Sequence, residues 1–119
     1  MVREPSDFYF LRMAMLVSER GTCARRQVGS IFVNKRNHVI EAIHAEQNAL
    51  LQCKDVHEID RVYCTLSPCI HCVKLLLNTS ARHILFCEEY IHQDAKRLWK
   101  DSNREWSYIS KNTILGKLN

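Results

Sequence analysis

The segment that decides the fold is residues 61–72, RVYCTLSPCIHC. Its first half, Arg61–Leu66, contains β-branched and aromatic side chains and predicts a buried strand. Ser67 is a good N-cap, and proline is tolerated at the first helical position because its missing N–H has no partner there. Ser67 and Pro68 therefore predict the start of a helix that runs to about Asn78.

The elements on either side of this segment alternate along the chain. Helical spacing predicts helices over residues 7–20, 44–53 and 93–101, and β-forming residues predict strands over 27–33, 39–40, 83–87 and 106–109. The order is α-β-β-α-β-α-β-α-β. Strands that alternate with helices favour right-handed crossovers, so we expect a three-layer α/β/α sandwich around a five-stranded mixed sheet.

Composition and charge exclude several classes of protein. The 119 residues are 46% hydrophobic and 25% charged, with 3 Gly and 2 Pro, which predicts one globular domain over residues 1–119. No apolar run approaches the roughly 18 residues of a membrane span, and no signal region follows the N-terminus, so we expect a soluble cytoplasmic protein without a membrane partner. The net charge of +4 suits a nucleotide phosphate but does not indicate a binder of polymeric nucleic acid.

The cysteines indicate a metal site. In a reducing compartment, cysteines are expected to be thiols or metal ligands rather than disulfides. The chain has six of them: Cys23, Cys53, Cys64, Cys69, Cys72 and Cys87. Cys69 and Cys72 are three residues apart, so they share a helix face, and the helix N-terminus favours the thiolates that zinc needs. His44, at the start of another predicted helix, can complete the set. Three protein ligands leave one position open, as catalytic zinc sites do.

Glu46 is the candidate proton carrier. A water at the open zinc position has its pKa lowered to about 7, and a neighbouring carboxylate can take its proton and pass it on. Glu46 lies two residues after His44, so the sequence predicts that it stands beside the metal without binding it.

Two readings from other classes of protein compete with this one. A C-x-x-C pair that opens a helix after a strand is also the thioredoxin-type redox motif, but redox chemistry does not require a second helix that starts with His-x-Glu. Cys64 or His71 could instead close a structural zinc site as a fourth ligand. The other histidines are interpreted as surface or hydrogen-bonded residues, the other cysteines as small buried side chains, and Trp99 and Trp106 as core.

Three blocks of sequence resemble a known family. They are TCARRQVGSIFV at residues 22–33, HAEQNAL at 44–50 and YCTLSPCIHC at 63–72. The pattern His-x-Glu followed by Pro-Cys-x-x-Cys is typical of zinc-dependent deaminases, in which the Glu is not a metal ligand. The chain is similar over about residues 8–110 to the cytidine deaminase-like superfamily and, within it, to the deoxycytidylate deaminases, which convert dCMP to dUMP for thymidylate synthesis.

The resemblance implies further site residues and ligands. The backbone around Leu66 and Ser67 would receive the amino group of the base, and Arg25 or Arg26 could face the phosphate, although both arginines are equally compatible with solvated loop positions. The resemblance also implies one Zn²⁺, a homo-oligomer (a hexamer or a dimer), and regulation by dCTP and dTTP with Mg²⁺. The metal motif is shared by deaminases that act on tRNA adenosine or on free nucleosides and by deaminases associated with bacterial competence. The residues after Glu46 favour the deoxycytidylate type.

The chain departs from the family between the second strand and the His-Ala-Glu block. Relatives carry a Thr-Gly-Tyr-Asn-Gly-like turn and a long loop there, whereas here three residues separate Ile40 from His44. Either much of the substrate pocket is lost or a segment is omitted from the sequence, and we favour omission. An extended chain advances about 3.3–3.6 Å per residue, so three residues are too few to lead from a strand of the sheet to a helix in another layer. We therefore predict a chain break near Ile40–Glu41, with a Cα–Cα separation well above the usual distance of about 3.8 Å.

Overall fold

The computed structural model describes residues 6–19, 29–44, 56–89 and 93–116. Within these ranges the helices are α1 (Ser6–Glu19), α2 (Ile70–Leu76), α3 (Gln93–Asp101) and α4 (Lys111–Leu115), and the strands are β1 (Gly29–Val33), β2 (Val39–His44), β3 (Arg61–Leu66), β4 (His83–Glu88) and β5 (Glu105–Tyr108). The strand order is β2-β1-β3-β4-β5. Pairing is antiparallel among β2, β1 and β3 and parallel among β3, β4 and β5, which confirms the five-stranded mixed sheet.

Both faces of the sheet are covered, as the three-layer prediction requires. Alternate residues of β3 point to opposite faces: Tyr63 packs with α1 and α4, whereas Val62 and Cys64 pack with α2 and α3. On the face covered by α2 and α3, Trp99 is fully buried in the apolar core. Trp106 is partly buried and packs against the same core. The interpretation of both tryptophans as core is confirmed.

Helix α2 begins later than predicted. Its first residue is Ile70, and Cys69 takes the N-cap position with an extended backbone (φ −73°, ψ 171°) and no side-chain cap. Ser67 and Pro68 lie before the helix, because the Ser67 N–H donates to the carbonyl of Glu88 at 2.9 Å and so keeps the turn attached to the sheet. The predicted N-cap at Ser67 is therefore wrong by two residues.

Strand β2 is longer than predicted, which removes the reason for a chain break. It runs without interruption through the Ile40–Glu41 junction, and Glu41 and Ala42 pair with Phe32 and Ile31 of β1. The predicted break is therefore not observed. Since β2 ends only at His44, the chain does not have to change layers between Ile40 and His44. Whether a loop is missing from the sequence stays a prediction.

Several other elements agree with the sequence or add to it. Helix α3 has the predicted bounds, β3 does too, and β5 starts one residue earlier than expected. Helix α4 was not predicted, since it has only five residues; Ser110 caps it by accepting from the Thr113 N–H at 3.1 Å. No helix in the described ranges has the length and apolar character to cross a membrane.

His83 at the start of β4 is a hydrogen-bonded histidine, as predicted, and it makes stability depend on pH. Its Nε2 lies 2.8 Å from Ser107 Oγ, and burial lowers its pKa from 6.5, against the opposing charge of Glu105. The unfolded chain therefore binds more protons between the lowered pKa and 6.5, so stability falls as the pH falls through this window.

We expect His83→Gln to flatten that dependence, because glutamine does not titrate. Urea unfolding midpoints measured from pH 5 to 7.5 would report the slope. The same change at His38, whose side chain is exposed, should leave the slope of the wild type. Equal slopes in the wild type and His83→Gln would contradict the assignment.

Candidate functional site

The two cysteines of the C-x-x-C motif meet at the end of β3 that leads into α2. The Cys69 thiol donates to the Cys72 sulfur across an Sγ–Sγ distance of 3.6 Å, and both residues are partly exposed. Neither forms a disulfide, nor do Cys64 and Cys87. The described cysteines are thiols, as expected, while Cys23 and Cys53 lie outside the described residues.

The sulfur separation fits a shared metal ion. Two thiolates bound to a tetrahedral zinc ion at about 2.3 Å stand about 3.8 Å apart, close to the distance between Cys69 and Cys72. Within the ranges that the structure describes, no group of three or more His, Cys, Asp or Glu side chains comes together to hold a metal. The pair thus supplies two soft ligands of the kind that zinc prefers.

The protonation of Cys72 differs from the prediction. The helix N-terminus was expected to favour thiolates, but burial and, to a smaller extent, the neighbouring Cys69 raise the pKa of the Cys72 thiol to about 12. Helix α2 is only seven residues long, and the loss of solvent around Cys72 outweighs its dipole. Without a cation, the Cys72 thiol therefore keeps its proton at neutral pH.

Cys64, the possible fourth ligand of a structural site, is a neighbour of this pair. It lies on the same face of the sheet, its charge contributes to the raised pKa of Cys72, and burial raises its own pKa to about 11. Ser30 Oγ donates to Cys64 Sγ at 3.6 Å. Cys87 is also buried but lies on the opposite face, where its thiol donates to the Thr65 carbonyl at 3.3 Å. Both fit the interpretation as small buried side chains.

The backbone of His44 lies at the same edge of the sheet as the cysteines. His44 ends β2 rather than starting a helix, so the predicted helical position is wrong; its side chain is not described. Its Cα pairs with Gly29, and the Gly29 N–H donates to Thr65 Oγ1 at 3.2 Å. Strands are spaced about 4.8 Å apart, so His44 lies roughly 10 Å from the end of β3.

The other predicted site residues divide into two groups. Leu66 ends β3 and pairs with Glu88, and Ser67 is buried in the turn before Cys69. The Ser67 N–H donates to the Glu88 carbonyl, and an incoming amino group, itself a donor, would bond to a carbonyl oxygen of this turn. The remaining candidates, Glu46, Arg25 and Arg26, lie outside the described residues, as does the predicted helix over 44–53 apart from His44.

The histidines outside the motif occupy the places expected of them. His38 and His57 are exposed, and so is His71, the proposed fourth ligand of a structural site. His92 lies outside the described residues.

Comparison with known proteins relates this chain to deaminases. A family model described as "Cytidine and deoxycytidylate deaminase zinc-binding region" matches residues 5–88. ComE operon protein 2 of Bacillus subtilis is 26% identical over 79% of this chain and 66% of its own length. Deoxycytidylate deaminase of Saccharomyces cerevisiae is 23% identical over 97% of this chain and 49% of its own. The chain thus spans between about half and two thirds of the length of these curated relatives.

A solved structure shares the fold. The dCMP deaminase of the cyanophage S-TIM5, in complex with dCMP and dUMP, superposes with a TM-score of 0.76 at 23% identity, covering 91% of this chain and all of that one. The alignment with the Bacillus protein is 124 columns long but contains about 94 residues of this chain, which is 79% of 119. About 30 columns therefore hold residues that only the relative has.

Proposed function

Because the chain belongs to the cytidine and deoxycytidylate deaminase zinc-binding family, we propose that it hydrolyses dCMP to dUMP and ammonia with the help of zinc, and so feeds thymidylate synthesis. The observation that carries the proposal is the Cys69–Cys72 pair, whose sulfurs lie 3.6 Å apart inside the matched region. The names of the yeast and cyanophage proteins support dCMP as the substrate.

The proposed ligands of the zinc are His44, Cys69 and Cys72. The thiol pair has the separation that a tetrahedral ion needs, and His44 ends β2 at the same edge of the sheet. When bound, zinc lowers the pKa of a water in its remaining position to about 7. A fourth protein ligand would remove that position, and the proposal assigns none: His71 is exposed, and the sulfur of buried Cys64 accepts from Ser30 Oγ.

Glu46 is the proposed proton carrier. Its carboxylate takes the two protons of the attacking water in turn and delivers one to the ring nitrogen and the other to the amine that leaves as ammonia, while the water oxygen becomes the carbonyl oxygen of the product. The carbonyls of the Leu66–Ser67 turn receive the amino group, since an amino group donates and a carbonyl oxygen accepts. Arg25 or Arg26 pairs with the phosphate in this proposal, as a guanidinium suits a phosphate.

Regulation and assembly stay predictions from the family resemblance. They comprise dCTP and dTTP as effectors with Mg²⁺, a homo-oligomer, and a cytoplasmic location. The roughly 30 alignment columns without a residue here support a missing loop, the segment expected to carry part of the substrate and effector sites.

Metal analysis and an ultraviolet assay test the proposal together. We expect one zinc per chain and conversion of dCMP to dUMP, with much slower reaction of free deoxycytidine and of adenosine in tRNA. A redox domain would hold no stoichiometric zinc, and a structural zinc domain would hold zinc but convert none of these substrates. Zinc with faster turnover of tRNA adenosine or deoxycytidine would move the assignment to another deaminase.

Glu46→Gln is the variant that tests the proton carrier. It should keep one zinc per chain and the unfolding temperature of the wild type, because Glu46 is not proposed to bind the metal. Turnover should fall by about a hundredfold or more, since general acid–base groups contribute about 10²–10⁴. Glu41→Gln, in the middle of β2, is the matched control and should retain activity. Normal turnover of Glu46→Gln would remove Glu46 from the mechanism.

A further inference from the structure

Arg104 joins three carbonyl groups at the end of α2 that lies away from the cysteines. Its Nη1 donates to the carbonyls of Leu76 at 3.1 Å and Ala81 at 2.9 Å, and its Nη2 donates to the carbonyl of Leu77 at 3.1 Å. The last carbonyls of a helix lack partners within the helix, and a cation near them is favourable. Arg104 therefore ties the C-terminal end of α2 to the loop that leads into β4.

The position of Arg104 is fixed by the end of α3. Asn103 has a left-handed backbone (φ 64°), and its N–H donates to the Lys100 carbonyl at 3.0 Å, so the chain turns back at that point. The guanidinium then lies over the ring of Trp99, 5.0 Å from its centroid. The Trp99 Nε1–H in turn donates to the Glu105 carbonyl at 2.7 Å. Arg104 is thus held by a fully buried side chain while it binds α2.

Among the described residues, the Leu76 carbonyl at the end of α2 also accepts from the Thr79 N–H at 3.0 Å and from Thr79 Oγ1 at 2.7 Å, but Thr79 is local to that end, whereas Arg104 joins it to another element. Helix α2 has seven residues, of which Val73 and Leu76 are buried, and apolar contacts resist sliding and rotation less than directional hydrogen bonds do.

Cys72 lies one helical turn before Leu76, or about 6 Å along the axis. Cys69 belongs to the turn attached to β4, and its carbonyl accepts from the Val73 N–H of α2 at 3.0 Å. A shift at the Arg104 end therefore has to distort that bond and move the Cys72 thiol relative to Cys69.

We propose that Arg104 is a positioning residue for the metal ligands: by fixing the C-terminal end of α2, it sets the geometry of the Cys69–Cys72 pair. This inference rests on the proposed function, because it assumes that the pair binds zinc. It assigns to Arg104 an effect on metal retention, beyond its contribution to stability. Second-sphere partners of metal ligands typically change metal affinity by about 10–100-fold.

The experiment compares zinc release from full-length Arg104→Gln, Arg104→Lys and Arg82→Gln. Arg82 is the matched control, because its Nε donates to Oδ1 of buried Asp60 at 2.6 Å and, among the described residues, it makes no hydrogen bond to α2. Each zinc-loaded protein is mixed with excess chelator, and release is followed with a chromogenic zinc indicator. Unfolding temperatures are measured on the same samples, and release is compared well below the lowest of them.

We expect Arg104→Gln to release zinc about tenfold faster than the wild type. Arg104→Lys keeps the charge but not the planar guanidinium, so its rate of zinc release should lie between those of the wild type and Arg104→Gln. Arg82→Gln should unfold at a lower temperature and release zinc at the wild-type rate. If Arg104→Gln does not fold, Arg104→Lys against Arg82→Gln makes the same comparison.

Two negative results are distinguishable. The positioning role would be overturned if folded Arg104 variants released zinc at the wild-type rate. It would also be overturned if Arg82→Gln released zinc as fast as Arg104→Gln at the same loss of stability. Either result would leave the proposed function intact. A wild-type protein that binds no zinc would overturn the proposed function and, with it, this inference.

Discussion

Replacing Cys72 with alanine is expected to remove the zinc and abolish the deamination of dCMP. With Cys72 gone, only Cys69 and His44 of the proposed ligands remain, and the close thiol pair no longer exists. Metal ions supply several kcal/mol of transition-state stabilisation, and each 1.36 kcal/mol is about tenfold in rate, so turnover should fall by at least about a thousandfold. The fold should persist, because Cys72 is only partly buried.

Zinc content by atomic absorption and dCMP turnover on the same sample measure both effects, and Cys69→Ala should behave in the same way. Cys87→Ala is the matched control: its thiol is buried on the opposite face of the sheet and donates to the Thr65 carbonyl, away from the pair. It should keep one zinc and nearly full turnover. Full zinc content in Cys72→Ala would show that the metal is bound elsewhere.

Features with a local cause could be predicted from the sequence. Strand β3 and helix α3 have the predicted bounds because the β-forming residues of the strand and the helical spacing of the helix lie within the segment itself. The spacing of Cys69 and Cys72 likewise predicts their proximity, since residues three apart at the first turn of a helix share a face.

Features that depend on distant partners could not be predicted. The predicted strand ends at Ile40 and the predicted helix begins at His44, but pairing with β1 keeps Ile43 and His44 in strand β2. The start of α2 is displaced because Glu88, more than twenty residues away, accepts the hydrogen bond of Ser67. No sequence pattern marks Arg104, whose partners are backbone carbonyls far from it in sequence.

The second large effect concerns stability. We expect Gly29→Ala to destabilise the protein by about 3 kcal/mol or more, because β1 passes too close to α1 for a side chain. A Cβ at Gly29 would lie 2.1 Å from the carbonyl oxygen of Ala14 and 2.7 Å from the backbone nitrogen of Ser18. Both are backbone atoms of a helix and cannot rotate away, so α1 must move off the sheet. Overpacking of cores costs typically about 1–3 kcal/mol when side chains can adjust, and more is expected here.

Urea unfolding of Gly29→Ala against the wild type measures this cost, and the chain itself offers the matched control. A Cβ at Gly116 meets no atom within 4 Å, and the backbone there is right-handed helical (φ −68°, ψ −13°), which alanine adopts readily. Gly116→Ala should therefore leave stability unchanged or raise it by about 0.4–1 kcal/mol through the lower entropy of the unfolded chain. Since a domain of this size is stable by only about 5–15 kcal/mol, Gly29→Ala should also show a clearly lower unfolding temperature. Equal midpoints for the two alanine variants would mean that α1 and β1 do not pack as closely as the structure has them.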